Sequence, residues 1–574
     1  MIVFRCVADM DTNDRNKKRL ILGLSGFIIV MVIIAAAPGI FFLGEIVKPE
    51  GDNPRSAEEN TSATSEIRIG FPERTVVVAS SRYKTMPAGD PDYVCDGVDD
   101  QIEISQALDS LAGEGGTVLL TDGTFNCSGI LRPHAETTLR GSGSGGTLLN
   151  FSNDGRIQVE AESVTIGDFS MKGMGYSSSA MWYSLILIRA SNTTVRNVTG
   201  TADHTVQAVF QILGGDTGVY RREIRNVTFR NCSALYPRCG GFYLTAWGND
   251  NKTIRNVTFI DCQAIGCATG YPRFGEYDVG FDFAELNDIE NLTVTGCSAE
   301  GCWESGFHFE YDRVKKNCVL IDCVSTNNGR KPYPQDRSIQ YFGAGYYAPE
   351  GDVTFINCTS EANSQYGFFS TDGGKLYGCV DRSCGEGASS AGRQPTSFYG
   401  VSTDSPGASL VLEDCWSIDS RGYAFWIDDA MHVRVDNFTM IGTAGIDDVG
   451  AVLGAAFGGC QYCSVGMNAS ECQSSTILHI EDGRDSLVTG RFVTDSPHAL
   501  VVSGSKTSGL KIRGVTVVSN TLPQGSTGIA IHQSVPDGAV TIEDCRVLPV
   551  DKSVGASLWG VATQIAGCVQ GILP

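Results

Sequence analysis

A short pattern that ends in cysteine recurs along most of this chain, and it limits the possible folds more than any other feature. Its clearest copies are IRNVTFRNC, IRNVTFIDC and IENLTVTGC, ending at Cys232, Cys262 and Cys297, and shorter copies end at Cys323, Cys358, Cys379, Cys415 and Cys545. A second element, as in GFDFAE from Gly280 and GFHFEY from Gly306, lies between copies. Both elements alternate apolar and polar residues, which is typical of β-strands.

The spacing of the copies indicates a solenoid. Successive cysteine ends from 232 to 415 lie 21 to 36 residues apart, which is one turn with loops of variable length. Stacked turns pair each strand in parallel with the same strand of the next turn, ~4.8 Å away. A β-sandwich array would need frequent two-residue hairpin turns, which are not the dominant signal here. The sequence therefore predicts an all-β, single-stranded parallel β-helix over residues 151–545, with first coils in 71–150 and a C-terminal coil and cap in 546–574.

The start of the repeat region carries a second group of motifs. Asp99-Asp100 can begin a short helix, and Ile102, Ile104, Ala107 and Leu108 are predicted to form its apolar face. The motifs read in chain order are Asp96-Gly97, Asp99-Asp100, Gly115-Gly116-Thr117 and Gly123-Thr124-Phe125. This run resembles the N-terminal segment of β-helix proteins of the pectate-lyase superfamily. The resemblance implies a right-handed β-helix whose first coil is covered by a short α-helix that serves as a cap.

The N-terminal region predicts a membrane anchor. Residues 20–44 are almost wholly apolar and long enough to cross a ~30 Å hydrocarbon core as a helix. Basic residues precede this run, so residues 1–19 are expected in the cytoplasm and the rest outside, with 45–70 as a polar stalk. The alternative is a signal peptide cut after Ala35-Ala36-Ala37 and a secreted protein, although Pro38 disfavours the cut.

Thirteen N-x-S/T sequons follow the apolar segment, and this agrees with an extracellular location. Several of them recur inside the repeat, where asparagine can also serve a turn. They are Asn60, Asn126, Asn150, Asn192, Asn197, Asn226, Asn231, Asn251, Asn256, Asn291, Asn357, Asn437 and Asn468.

Charge narrows the range of partners. The formal net charge of −22 and the pI of about 4.7 give an acidic surface that repels phosphate backbones, so nucleic acid is excluded as a partner. No dense array of acidic calcium ligands is present, and we expect neither a metal ion nor another cofactor.

The chain has 20 cysteines, and two arrangements are open for them. Those at the repeat position can stack inside the solenoid as small apolar side chains. Disulfides are the alternative for an exported protein, between cysteines separated by four intervening residues or between Cys95 and Cys127. Cys460, Cys463 and Cys472 superficially resemble a metal knuckle, but no fourth ligand is evident and a loop disulfide is the preferred interpretation.

The second element places chemistry on one face. In G-F-x-F the two aromatic residues face inward, so the residue between them belongs to an outward column: Tyr243, Asp282, His308, Tyr347 and Phe369. A second outward column follows two residues later: Thr245, Ala284, Glu310, Pro349 and Thr371. Asp282, His308 and Glu310 are the candidate catalytic residues, because two carboxylates and an imidazole can abstract or donate a proton. Aromatic and basic residues that would bind sugar and uronate are Tyr243, Tyr271, Arg273, Arg330, Lys331, Arg337 and Tyr347.

Two of these coils resemble those of the mannuronan C5-epimerase modules, in Gly280-Phe281-Asp282 and in Gly306-Phe307 with Glu310. The resemblance implies acid–base chemistry on a uronate polymer. The sequence departs from that family at Val279, where the family has tyrosine, and at Ala284, where it has histidine. Two functions therefore remain. One is a surface lyase, hydrolase or epimerase that acts on an extracellular polysaccharide, and the other is a non-catalytic adhesin or envelope protein that contacts glycan.

Overall fold

The computed structural model describes a large part of the repeat region and part of the segment before it. The described residues are 74–82, 90–174, 183–203, 206–215, 223–247, 253–269, 278–285, 287–310, 313–329, 343–349, 351–371, 373–385, 395–401, 410–448, 451–519, 528–549, 564–566 and 569–570. The predicted cytoplasmic segment, anchor and stalk lie outside them. Within the described residues, no helix is long and apolar enough to cross a bilayer.

The strands of these residues form two sheets. The 16-strand sheet consists of Ile130–Leu131, Arg156–Val159, Ser184–Ile188, Ala208–Gly215, Phe242–Trp247, Phe281–Glu285, Phe307–Phe309, Ala344–Ala348, Tyr366–Ser370, Thr396–Val401, Tyr423–Asp428, Ile446–Asp448, Ala451–Gly458, Thr476–Glu481, His498–Ser503 and Ile529–Ile531. The 31-strand sheet consists of Thr75–Ala79, Tyr93–Val94, Gly116–Leu120, Gly123–Cys127, Thr137–Arg140, Thr147–Ser152, Thr165–Met174, Thr193–Thr201, Ile224–Arg230, Ser233–Leu235, Thr253–Ile260, Gln263–Ile265, Asp288–Thr295, Ser298–Glu300, Lys315–Ile321, Val324–Thr326, Val353–Ile356, Thr359–Glu361, Lys375–Tyr377, Val380–Arg382, Val411–Glu413, Trp416–Ile418, Arg434–Ile441, Ser464–Ser470, Leu487–Val493, Leu510–Arg513, Thr516–Ser519, Val540–Glu543, Arg546–Pro549, Gln564–Ala566 and Val569–Gln570.

Pairing between these strands is parallel and runs from each coil to the next. Thr253–Ile260, for example, pairs with Asp288–Thr295, which pairs with Lys315–Ile321. The exception among the described strands is the antiparallel pair of Ile446–Asp448 with Ala451–Gly458. The predicted parallel solenoid is thus confirmed.

The coils turn at corner residues with positive φ. In one coil these are Asn256, Asp261 and Gly266, with φ of 54°, 52° and 62°. Asparagine, aspartate and glycine tolerate the left-handed region better than other residues do. The second corner directly precedes the repeat cysteine, which explains the Asn, Asp or Gly found before Cys in the sequence pattern.

The repeat cysteines stack inside the solenoid, as one of the two sequence interpretations predicts. Cys262 donates its backbone N–H to Cys297 Sγ at 3.3 Å, and both side chains are buried. Burial raises the pKa of the Cys297 thiol far above its ordinary value. No disulfide joins the cysteines of the described residues, Cys95, Cys127, Cys460, Cys463 and Cys472 included.

Aromatic rings form a second internal stack behind the 16-strand sheet. Neighbouring rings are nearly parallel and stacked, with centroids 4.6 to 5.1 Å apart. The stack runs through Phe210, Phe242, Phe281, Phe307, Tyr346, Phe368 and Phe398. Such pairs stabilise the core beyond their buried area. The stacked rings hold the side chain of the first aromatic residue of each G-F-x-F element inside the solenoid.

The described residues contain one α-helix, Gln101–Asp109, at the predicted place. Ile104, Ala107 and Leu108 are buried against the first coils. The prediction was wrong for Ile102, which is 52% exposed. At 100° per residue, Ile102 lies about 200° around the helix from Ile104 and therefore on the opposite face.

An asparagine ladder follows the first corner of successive coils. Asn256 Nδ2 donates to Asn226 Oδ1 at 3.0 Å, and Asn256 Oδ1 accepts from Asn291 Nδ2 at 2.9 Å. The ladder continues to Asn192 at one end and to Asn317 at the other. Four of these five asparagines are also sequons, so the fold itself accounts for part of the sequon density.

We expect Asn256→Ala to lower the free energy of unfolding by about 2–3 kcal/mol, since it removes two hydrogen bonds and a residue suited to positive φ. Asn357→Ala is the matched control. Asn357 also has positive φ, 51°, and is exposed, but its side chain has no hydrogen-bond partner among the described residues, so about 1 kcal/mol is expected. Urea unfolding followed by circular dichroism measures both. Equal losses would show that the ladder bonds contribute nothing.

Candidate functional site

The outward column is continuous from coil to coil in the 16-strand sheet. Tyr243 pairs with Asp282, Asp282 with His308, and His308 with Tyr347. This register is the one that the strand period of two predicts. The structure extends the outward column beyond Phe369 to Tyr399 and Trp426.

Glycines before these strands allow the coils to approach. A Cβ on Gly280 would lie 2.6 Å from the carbonyl oxygen of Gly306 and 2.9 Å from Ala299 Cβ. Contacts below 3.0 Å are not tolerated by real side chains, so the position requires glycine. The glycine of G-F-x-F therefore serves the close backbone approach that brings Asp282 and His308 side by side.

The five predicted side chains of the outward column are buried, whereas the sequence predicts them displayed at the surface. Asp282 is 1% exposed and His308 is 3% exposed. Tyr347 and Phe369 belong to a small apolar cluster of their own, apart from the solenoid core. The column thus points away from the core as predicted, but it is covered. Alternation along a strand gives the direction of a side chain and contains no information about what packs over it.

The second outward column departs from the predicted register. A bulge between Tyr243 and Thr245 places Glu285 opposite Thr245, where the sequence predicts Ala284. A bulge inserts one residue, so every later residue of that strand changes its partner. The strand period of two therefore predicted the wrong partner for Thr245.

His308 lies between a carboxylate and an aromatic ring. Its Nε2 is 3.2 Å from Glu310 Oε1, and its ring stacks on Tyr347 with centroids 4.7 Å apart. The Glu310 side chain is one-third exposed, so it is the most open of the three candidate catalytic residues. The structure therefore brings Asp282, His308 and Glu310 together on two adjacent coils.

Lys315 joins the site from the neighbouring sheet, and the sequence analysis did not identify it. Its Nζ donates a hydrogen bond to the backbone carbonyl of Glu310. The available signal was a lysine at the start of a strand, which alone is typical of a solvated end. Five predicted substrate-binding residues lie outside the described residues: Tyr271, Arg273, Arg330, Lys331 and Arg337.

Comparison with known proteins bears on the fold. Residues 136–380 match the family model described as a right handed beta helix region. Together with the parallel pairing of successive coils, this decides the architecture. The described repeat region is a right-handed parallel β-helix. A search of curated protein sequences finds no match to it.

Several solved structures share features with this β-helix at low similarity. The A-module of the mannuronan C-5 epimerase AlgE6 of Azotobacter vinelandii is 14% identical over 83% of this chain and 97% of that chain, with a TM-score of 0.31. Pectate lyase Pel9A is 13% identical over 66% and 82%, with a TM-score of 0.30. Tailspike protein 3 of bacteriophage CBA120 is 12% identical over 82% and 59%, with a TM-score of 0.30. Similarity this low carries no argument about activity.

The geometry of the β-helix does indicate which nitrogen of His308 is basic. An ionised carboxylate only accepts hydrogen bonds, so Glu310 Oε1 requires the proton of His308 on Nε2. Nδ1 is then the nitrogen that can take up a proton. An imidazole in this tautomer can act as a general base, and the carboxyl group of Asp282 lies on the adjacent coil.

Proposed function

We propose that this protein acts on an extracellular polysaccharide and that Asp282, His308 and Glu310 carry a proton-transfer step on a uronate-containing glycan. The observation that carries the proposal is the pairing of Asp282 with His308 while His308 Nε2 lies within hydrogen-bond distance, 3.2 Å, of Glu310 Oε1. Proton transfer needs an acid or base whose tautomer is set and whose ring is held in place. Stacking on Tyr347 supplies the second condition.

The aromatic end of the outward column supports contact with sugar. The rings of Tyr347, Phe369 and Tyr399 stack with centroids 4.6 and 4.8 Å apart. Trp426 follows at 82° to Tyr399 and is partly exposed. Aromatic side chains beside polar ones are what a site for sugar rings requires. The glycan would contact this end of the column at Tyr399 and Trp426, which are partly exposed.

The location belongs to the same proposal. The apolar segment 20–44, with basic residues before it, supports a single-pass anchor that leaves the β-helix outside the cell on the stalk 45–70. Secretion after cleavage at Ala35–Ala37 is the alternative.

A non-catalytic glycan-binding or adhesive role is the second candidate, and one observation favours it. Asp282 and His308 are almost fully buried, so a polymer cannot reach them in the conformation that the structure describes. Contact with glycan would then rest on Glu310 and the partly exposed Trp426. The two candidate functions differ in whether the protein converts a polysaccharide into product.

Turnover is tested with the full-length protein and a panel of uronate-rich polysaccharides. Unsaturated products report a lyase, new reducing ends a hydrolase, and solvent deuterium incorporated at C5 an epimerase. We expect at least one signal, and a loss of about 10²-fold or more in Asp282→Asn. Asp261→Asn is the control, because asparagine occupies the same corner in other coils. No signal from the wild type with binding retained would favour the non-catalytic role.

A further inference from the structure

A lysine occupies a core place that isoleucine fills in three preceding coils. The Cα register runs from Ile224 to Ile254, Ile289 and then Lys315. All three isoleucines are buried, and Lys315 is only 3% exposed. The lysine that replaces the aliphatic residue comes five residues after Glu310 in the chain.

Glycine at position 351 makes room for this side chain. A Cβ on Gly351 would lie 2.7 Å from Lys315 Cβ and 3.3 Å from Lys315 Cε, and its φ of +99° also favours glycine. The lysine stem thus runs past Gly351, and its ammonium donates to the Glu310 carbonyl. The charged end of Lys315 therefore lies against the main chain of the candidate site.

Such a placement is unfavourable for the stability of the core alone. A buried ammonium loses its hydration, and replacement of a buried ion by an aliphatic side chain of similar volume is often neutral or stabilising. The preceding coils already use isoleucine here. A buried lysine where the preceding coils bury isoleucine is best explained by the site above it.

We propose that Lys315 is a positioning residue, which rests on the proposed function of the site. By holding the main chain at Glu310, it keeps the Glu310 carboxylate against His308 Nε2 and so fixes the tautomer of His308. Lys315 does not contact substrate in this role. Its effect on chemistry passes through Glu310.

Lys315→Met tests the proposal, with Lys316→Met as the control. Lys316 is the exposed neighbour on the same strand, so it undergoes the same chemical change outside the core. In Lys315→Met we expect the midpoint of thermal unfolding to rise by about 1–3 °C. We also expect the ¹⁵N spectrum of the His308 imidazole, assigned by its loss in His308→Gln, to change from one tautomer to a mixture. Lys316→Met should alter neither.

An unchanged His308 tautomer in Lys315→Met would overturn the proposal. A fall in the unfolding midpoint, or failure to fold, would show that the lysine serves the core and would overturn it too. Neither readout needs a substrate. A negative polysaccharide screen would therefore contradict the proposed function while leaving the positioning role of Lys315 measurable.

Discussion

Replacing Asp381 with asparagine will flatten the dependence of stability on pH between about pH 4 and pH 7. Asp381 occupies an internal ladder of small residues, between Ser360 and Ser417 on the neighbouring coils. It is fully buried, and burial raises the pKa of its carboxyl group to about 7 from an ordinary 3.8. The hydroxyls of Ser360 and Ser397 oppose this rise without reversing it.

The sign follows from the raised pKa. The folded protein favours the neutral carboxyl, so this contribution to stability is fully present below about pH 4. It decreases as the unfolded chain ionises, and it is lost as pH rises through the folded value of about 7. At about 1.4 kcal/mol per pKa unit, the wild type should lose about 4 kcal/mol over this range from Asp381.

The groups around Asp381 determine whether the pH dependence of stability can be assigned to its carboxyl group. A Cβ on Gly367 would lie 2.4 Å from Asp381 Oδ1, and the buried thiol of Cys384 is the titratable neighbour. Burial keeps the pKa of Cys384 well above its ordinary value, so this thiol stays neutral across the range. The dependence on pH can therefore be assigned to Asp381.

Urea unfolding at about pH 4 and about pH 8 measures the effect in Asp381→Asn and in Asp381→Ser, which matches the flanking serines. Asp352→Asn is the control. Lys375, 2.9 Å away, holds the pKa of Asp352 below its usual 3.8, so its contribution is lost only as pH falls below about 4, and this variant should keep the wild-type slope between pH 4 and pH 8. A slope in both Asp381 variants equal to that of the wild type would show that Asp381 is not the titrating group.

Local patterns in the sequence were sufficient to predict the solenoid and the outward direction of the site. Alternation with period two places Asp282 and His308 correctly, because a parallel stack transmits one register from coil to coil. The same rule failed at Ala284, where a bulge shifts the partner of Thr245 to Glu285. In a strand this short, no residue type predicts a bulge.

Lys315 and Asp381 show a different limit. Each interrupts an internal ladder, of isoleucine in one case and of serine in the other. A charged residue in a polar stretch is ordinary, and it becomes informative only when the coil register shows which buried residues precede it. The burial of His308 was unpredictable for a related reason, since it depends on packing above the strand.

The second large effect is expected at His308. Replacing it with glutamine removes its imidazole from the site, and general base catalysis typically contributes 10²–10⁴-fold. We therefore expect turnover of the uronate polymer to fall by about that factor. His479→Gln is the matched control, because His479 lies further along the same ladder of the 16-strand sheet and bonds to Ser503 Oγ at 2.8 Å.

Glu310→Gln distinguishes the role of Glu310, which is to hold the tautomer of His308, from the role of His308 as the general base. An amide can donate to His308 Nε2 as well as accept from it, so the proton is no longer held on Nε2 and Nδ1 is basic in only part of the molecules. We expect a loss of turnover smaller than in His308→Gln, with substrate binding little changed because Glu310 acts through the imidazole. Equal losses in both variants would instead assign direct proton transfer to Glu310, with His308 as its partner. Full activity in His308→Gln would remove the imidazole from the mechanism and leave the two carboxylates to carry it.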